Sequence, residues 1–295
     1  ENKMFTNNMT AMLAIVFSMF LSLNVQAKEE MNKSDPEVKT TSSFDAFLDN
    51  EEPFGGKFST WVEFGSDYVF RGTSETTDGK IPSIKAAITY THDSGIYTGL
   101  YIANNLFPQP TSMANPEGDI QDINEIYGPY LGYATSDILG TGINFNGMLF
   151  QYIYPGGEQF NYLEMFNYID KQFGIWNVKL EYSLTVDTWF GVKGLDSHNF
   201  AITPSIALPH GFNLAGTLGH NYFSSSSRAD YNGDGSEDLG WTHWNLTLSR
   251  KVFGFNVDVS YHDTDIETGR HDLYGRADQK SSIDSRFVFA VSKSF

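Results

Sequence analysis

From residue 57 onward, apolar side chains recur at every second position in runs far longer than an ordinary strand, and no other feature narrows the fold as much. In residues 174–187, Trp176, Val178, Leu180, Tyr182, Leu184 and Val186 share one face. Asn177, Lys179, Glu181, Ser183 and Thr185 share the other. In residues 255–262, Phe255, Val257, Val259 and Tyr261 oppose Asn256, Asp258, Ser260 and His262. A period of two is the strand period. A soluble sandwich shows it too, so length decides. Ordinary strands run about 5 to 6 residues, membrane-spanning strands need about 9 to 11, and these runs reach about 10 to 14.

Twelve such runs begin near residues 57, 82, 95, 121, 143, 160, 174, 197, 211, 239, 253 and 282. Their connections alternate in length. Residues 92–95, 135–142, 170–174, 208–211 and 250–254 are short turns. Residues 73–81, 107–120, 187–196, 223–238 and 264–281 are long, and residues 155–159 are the one short member of that second set. Short turns at one end and long loops at the other predict an all-β fold: a transmembrane antiparallel up-and-down barrel of about 12 strands, of the outer-membrane type. Closure satisfies every backbone hydrogen bond within the bilayer. An even strand count puts both chain ends on the short-turn, periplasmic side. The outward apolar faces make outer-membrane lipid the expected partner.

The ends of the chain agree with export. Residues 11–23 are an apolar run of signal-peptide length followed by Val25, Gln26 and Ala27, a small-x-small cleavage pattern, so residues 1–27 are expected to be a signal peptide. Residues 28–56 are polar and acidic and are expected to be a disordered arm, with Phe44, Phe47 and Leu48 at helical spacing. Residues 57–295 form the barrel. Its last run puts Phe287, Phe289, Val291 and the terminal Phe295 on one face, an end that resembles the recognition signature read by the barrel-assembly machinery. Trp176, Trp189, Trp241 and Trp244 lie near strand ends, where an aromatic girdle belongs.

The formal net charge is -17, which argues against nucleic acid as a partner, because phosphate binding needs clustered Lys and Arg. There are no cysteines, so disulfides and thiolate-held metals are excluded.

Residues 64–74 read FGSDYVFRGTS, and further along come GIYTGLYIANN (95–105), NEIYGPYLGY (124–133) and YPGGEQFNYLEMF (154–166). In that order these stretches resemble a bacterial family called Gcw_chp, whose members are described as TorF-type porins. The resemblance implies an outer-membrane barrel with a porin role. It implies no catalytic or binding residue.

Candidate interior residues follow from strand parity. Glu63 and Asp67 fall on one face of the first run, and Arg71 follows Asp67 at a spacing of four, so both are expected to point inward. A charged constriction and a wall-bracing pair both fit these residues. Lys85, Lys179, Glu181, Asp258 and His262 complete the expected pore lining. Inward Asn, Ser, Thr and Gly suit a wet lumen. Asp230, Asn232 and Asp234 precede Gly235 as in the start of a calcium loop, with Asp238 at the ninth position. Trp241 holds the twelfth, where a bidentate Glu belongs, so a solvated turn fits as well. An enzyme on this scaffold would need Ser, His and an acid together, with His198 and His243 as candidates near the outer half. No G-x-S-x-G or H-E-x-x-H motif occurs.

Twelve strands lie between side-chain-filled barrels of eight and open porins of sixteen or more. The expectation is a narrow diffusion channel for small polar solutes or ions, not an enzyme, with no cofactor beyond calcium at that loop. A barrel-borne lipid hydrolase and a closed adhesive barrel with partner-binding loops stay open. Sequence fixes neither solute nor oligomeric state.

Overall fold

The computed structural model describes residues 54–76, 81–107, 123–185, 188–190, 192–224, 240–266 and 280–295. The signal-peptide, most of the acidic arm, and the Asp230–Asp238 calcium-loop expectations lie outside the described residues.

Twelve antiparallel strands close into one barrel. They are β1 (Gly56–Gly65), β4 (Ser83–His92), β5 (Ile96–Phe107), β6 (Ile123–Thr135), β7 (Ile143–Tyr152), β8 (Tyr162–Phe173), β9 (Trp176–Thr185), β12 (Asp196–Ala207), β13 (Phe212–Ser224), β14 (Trp241–Val252), β15 (Phe255–Thr264) and β16 (Arg286–Ser294). Two small hairpins stand apart from the wall: β2 (Val69–Phe70) with β3 (Thr73–Ser74), and β10 (Thr188–Trp189) with β11 (Val192–Lys193). A single-turn helix, α1 (Lys280–Ile283), precedes the last strand. Each barrel strand starts within four residues of its expected position.

Every neighbour in the wall is also a neighbour in chain order, apart from the hairpins and the closing seam. At the seam β1 pairs with β16 from Trp61↔Ser294 to Gly65↔Ala290. Thr60 and Phe295 then exchange both backbone hydrogen bonds, at 3.1 and 2.9 Å. The terminal phenylalanine therefore closes the ladder, leaving no open edge there.

The two-residue period sorts side chains by face. Leu131, Leu149, Leu163, Ile169, Leu180, Phe200, Leu218, Leu246 and Phe289 are exposed on the outside. An exposed apolar exterior of this kind is unsuited to water, and lipid is the solvent it suits.

The interior differs from the polar lining expected. Strands β9 and β12–β15 do carry inward Asn, Ser and Thr. Strands β5–β8 instead project Tyr101, Tyr130, Phe150, Tyr152, Tyr162, Phe166 and Tyr168 inward, packed on one another. Phe150 is the hub, with centroids 5.7 Å from Tyr101, 4.6 Å from Tyr152 and 6.3 Å from Phe166. Small residues opposite make the space. A Cβ added at Gly128 would run into the Phe150 ring, and one at Gly132 into Tyr97. Both faces of β8 are apolar, which is why strand parity alone could not assign them.

The tryptophan girdle also needs correction. Trp176 is outward and about half exposed, as expected. Trp241 and Trp189 are buried inside the barrel. Trp241 opens β14 on the parity of His243, which is inward, and Trp189 lies in the β10–β11 hairpin rather than the wall.

Candidate functional site

The interior is most completely filled near the long-loop end. β1 stops at Gly65, and the chain bends inward instead of continuing as wall. Val69 pairs with Ser74 and Phe70 with Thr73, leaving Arg71 and Gly72 as a two-residue turn. Their φ values are 47° and 86°. Positive φ at both central positions is the type I′ requirement, which Gly meets freely and Arg only under compulsion.

The surroundings supply that compulsion. Gly72 is pressed against His243 and Thr264, with room for nothing larger. Trp241 Nε1 donates to the Arg71 carbonyl at 2.9 Å. The guanidinium extends the other way: Nη2 donates to Glu164 Oε1 on β8 at 2.6 Å. Nη1 reaches Asn221 Oδ1 on β13 at 3.5 Å. The Arg71 and Glu164 side chains are 4% and 1% exposed, so the pair is fully taken from solvent. Burial works against the charge on Arg71, but Glu164, Glu181 and Tyr152 together outweigh it and the pKa lies above the ordinary arginine value.

Asp67 does not pair with Arg71. It accepts from Ser74 Oγ and Thr76 Oγ1 within its own loop, and from Arg286 Nη1 on β16 at 2.8 Å. A spacing of four aligns two residues only while the strand continues, and here it has ended. Each charge instead ties the inward hairpin to a different part of the wall.

The β10–β11 hairpin closes the same end with rings. Trp189 packs on Phe223 at 4.9 Å and on Trp241 at 5.9 Å. Phe190 stacks on Phe160 at 4.9 Å and meets Tyr154 edge-on at 5.4 Å. Polar residues at this level are dry: Thr185 and Asn221 in the wall and Thr76 in the inward loop are 0% exposed.

Toward the short-turn end the interior opens. Lys179, Thr203, Ser205, Asn213, Thr217, Asn245, Thr247, Ser249 and Asp258 are only half-buried on their inward side. Among the other expected lining residues, Glu63 and Lys85 pair directly at 2.5 Å, and Lys85 Nζ lies 4.8 Å from the Tyr68 ring centroid. Glu181 accepts from Ser183 and from Asn199 Nδ2. Lys179 lies over Tyr168, and His262 Nε2 meets Ser260 Oγ at 2.8 Å. Thus Glu63, Lys85, Lys179, Glu181, Asp258 and His262 sit on the inner face of the wall, while Asp67 and Arg71 sit in the inward loop.

Sequence reasoning missed Glu164, Asn221 and Arg286, three wall residues whose side chains bond to Arg71 or Asp67. Glu164 had a readable signal: a charged residue inside a run whose two faces are both apolar must have a buried partner. The two enzyme candidates do not meet. His243 Nε2 faces inward to Asn199 Oδ1, whereas His198 faces outward and meets the Tyr182 hydroxyl.

Among solved structures the fold is similar to a KdgM porin in complex with disordered oligogalacturonate, at 9% identity and a TM-score of 0.46, covering 81% of this chain and 99% of that one. It is also similar to a NanC porin, at 8% identity and a TM-score of 0.47, covering 80% and 98%. The outer membrane channel DcaP of Acinetobacter baumannii is similar at 10% identity and a TM-score of 0.36, covering 81% and 96%. No curated protein matches the sequence. The family model described as "Bacterial protein of unknown function (Gcw_chp)" matches residues 50–295, which is most of the chain and the whole of the barrel. The chain belongs to the Gcw_chp family.

Proposed function

We propose that this protein is an outer-membrane channel for small polar solutes or ions, narrowed at its outer end by the Arg71 hairpin. The observation that supports this most is the division of one interior into two parts. The short-turn half offers solvent a polar lining at Thr247, Ser249, Asn213 and Asp258. The long-loop half is crossed by Arg71 and capped by Trp189 and Phe190. The apolar exterior favours a membrane over water, and the alternation of short turns and long loops favours the outer membrane with long loops outward. The TorF-type porin role that the sequence resembles is the same reading, with the barrel-assembly machinery as its partner in insertion.

Passage then requires the hairpin to shift or to leave a narrow path beside it. The dry polar residues at the outer level favour a second reading, a closed barrel whose long loops bind a partner. The chain has no cysteine, so single cysteines separate the two. A cysteine at Thr247 should react with a charged thiol reagent added to either face of reconstituted membranes if the protein is a channel. Reaction from the short-turn face alone would support the closed barrel and defeat the channel.

A further inference from the structure

The charges that face lipid are distributed unequally between the two rims. Among the described residues, Lys171, Arg250 and Lys293 are outward near the short-turn end, and no outward carboxylate accompanies them in the wall there. Among the described wall residues, the long-loop rim presents Asp263, His198, His220, Tyr222 and Trp244 on its outward face, without lysine or arginine. In a chain of net charge -17, the outward cations of the described wall are therefore concentrated on one edge.

Each of these cations is laid over an aromatic ring. Arg250 lies 4.9 Å from the Phe212 centroid. Lys293 lies 5.2 Å from Phe255 and 4.6 Å from Phe295. Lys171 lies 5.5 Å from Phe173. The rings hold the charged heads at the edge of the apolar belt without neutralising them. Arg250 and Lys293 stand on β14 and β16 with only β15 between, and two strand spacings with a two-residue offset put them about 12 Å apart. Register sets this offset: Arg250 pairs with Phe212 on one side and Val257 on the other, Val257 pairs with Val291, and Lys293 lies two residues further along. Phe253, in the turn between β14 and β15, is 98% exposed beside them.

We infer that the β13–β16 edge at the short-turn rim is a binding surface for anionic phospholipid headgroups. This rests on the outer-membrane reading above, which puts that rim in the phospholipid leaflet. Phe212, Phe255 and Phe295 meet the upper acyl chains, while Arg250 and Lys293 meet the phosphate. A single-sign pair at headgroup depth discriminates an anionic headgroup from a zwitterionic one, because the latter carries its own cation.

The test uses the purified protein in vesicles and in detergent. Insertion into vesicles is measured first, by protection of the strands from protease. Phosphatidylglycerol and phosphatidylcholine are then titrated onto the detergent-held barrel and retained lipid is counted by native mass spectrometry. The expected result is preferential retention of phosphatidylglycerol. Arg250→Gln and Lys293→Gln should each reduce that preference roughly fivefold. Asp263→Asn on the opposite rim should leave it unchanged. Equal retention of both lipids, or full preference in the Arg250→Gln/Lys293→Gln double variant, would overturn the inference while leaving the channel reading standing. Failure to insert into vesicles would overturn both.

Discussion

Arg71 and Glu164 form an ion pair across the barrel interior, 2.6 Å from Nη2 to Oε1, linking a turn after the first strand to the middle of the wall. The turn that carries Arg71 rests on β14 and β15 through Gly72, and its side chain ends at β8. One side chain therefore spans the interior from one part of the wall to another.

Removing one partner should leave a buried charge alone. Arg71→Ala is expected to lower the stability of the folded barrel by about 3 to 5 kcal/mol. Glu164→Gln should cost less, since an amide can still accept from the guanidinium. Urea unfolding in lipid vesicles, read by tryptophan fluorescence, checks both, and a double-mutant cycle isolates the coupling.

The second tether is separable from the first. Asp67→Asn weakens the bond to Arg286 but leaves Arg71–Glu164 in place, so the hairpin should loosen at its base only. Protease cleavage between residues 66 and 76 is expected to rise, with little change in overall unfolding. Unchanged protection would mean that Arg286 does not hold this loop.

Interior glycines set the shape of the aromatic wall. Gly128→Ala forces a Cβ into the Phe150 ring. A cost of about 1 to 3 kcal/mol is expected, as for other overpacked cores. Phe150→Leu should recover part of it in the double variant, as measured by the same unfolding assay. No recovery would mean that the two positions do not share that space.

Neighbouring residues on β13 report the two faces. Leu218 is outward and 55% exposed, whereas Thr217 is inward and meets Thr203 Oγ1 at 3.0 Å. Leu218→Lys should cost about 2 to 4 kcal/mol in vesicles if it faces the bilayer core. Thr217→Lys, turned to the half-open lumen, should cost much less. Equal costs would contradict the assignment of faces.

The wall was legible in the sequence because its signal is local. The run Trp176, Val178, Leu180, Tyr182 needs only the strand period to be read, and the short turn at 170–174 marks its start. What sequence could not supply is where a loop goes. Nothing in FGSDYVFRGTS says that the strand ends at Gly65 and that Arg71 turns inward to meet a glutamate 93 residues later. Asp67 and Arg71 looked like a pair because a continuing strand would have aligned them. Trp241 looked like a girdle residue because its position at a strand end is visible, but it shares the inward parity of His243, Asn245 and Thr247 and not the outward parity of Trp244, Leu246 and Leu248. Tyr162, Phe166 and Tyr168 were hidden by the apolar outer face of the same strand.

The most direct test of the account is single-channel recording of the purified protein and of Arg71→Ala in planar bilayers under a salt gradient. The account predicts small steps with a shifted reversal potential for the native chain, and larger or longer steps once the crossing side chain is gone. Silence from both proteins at every voltage, with insertion verified, would contradict it.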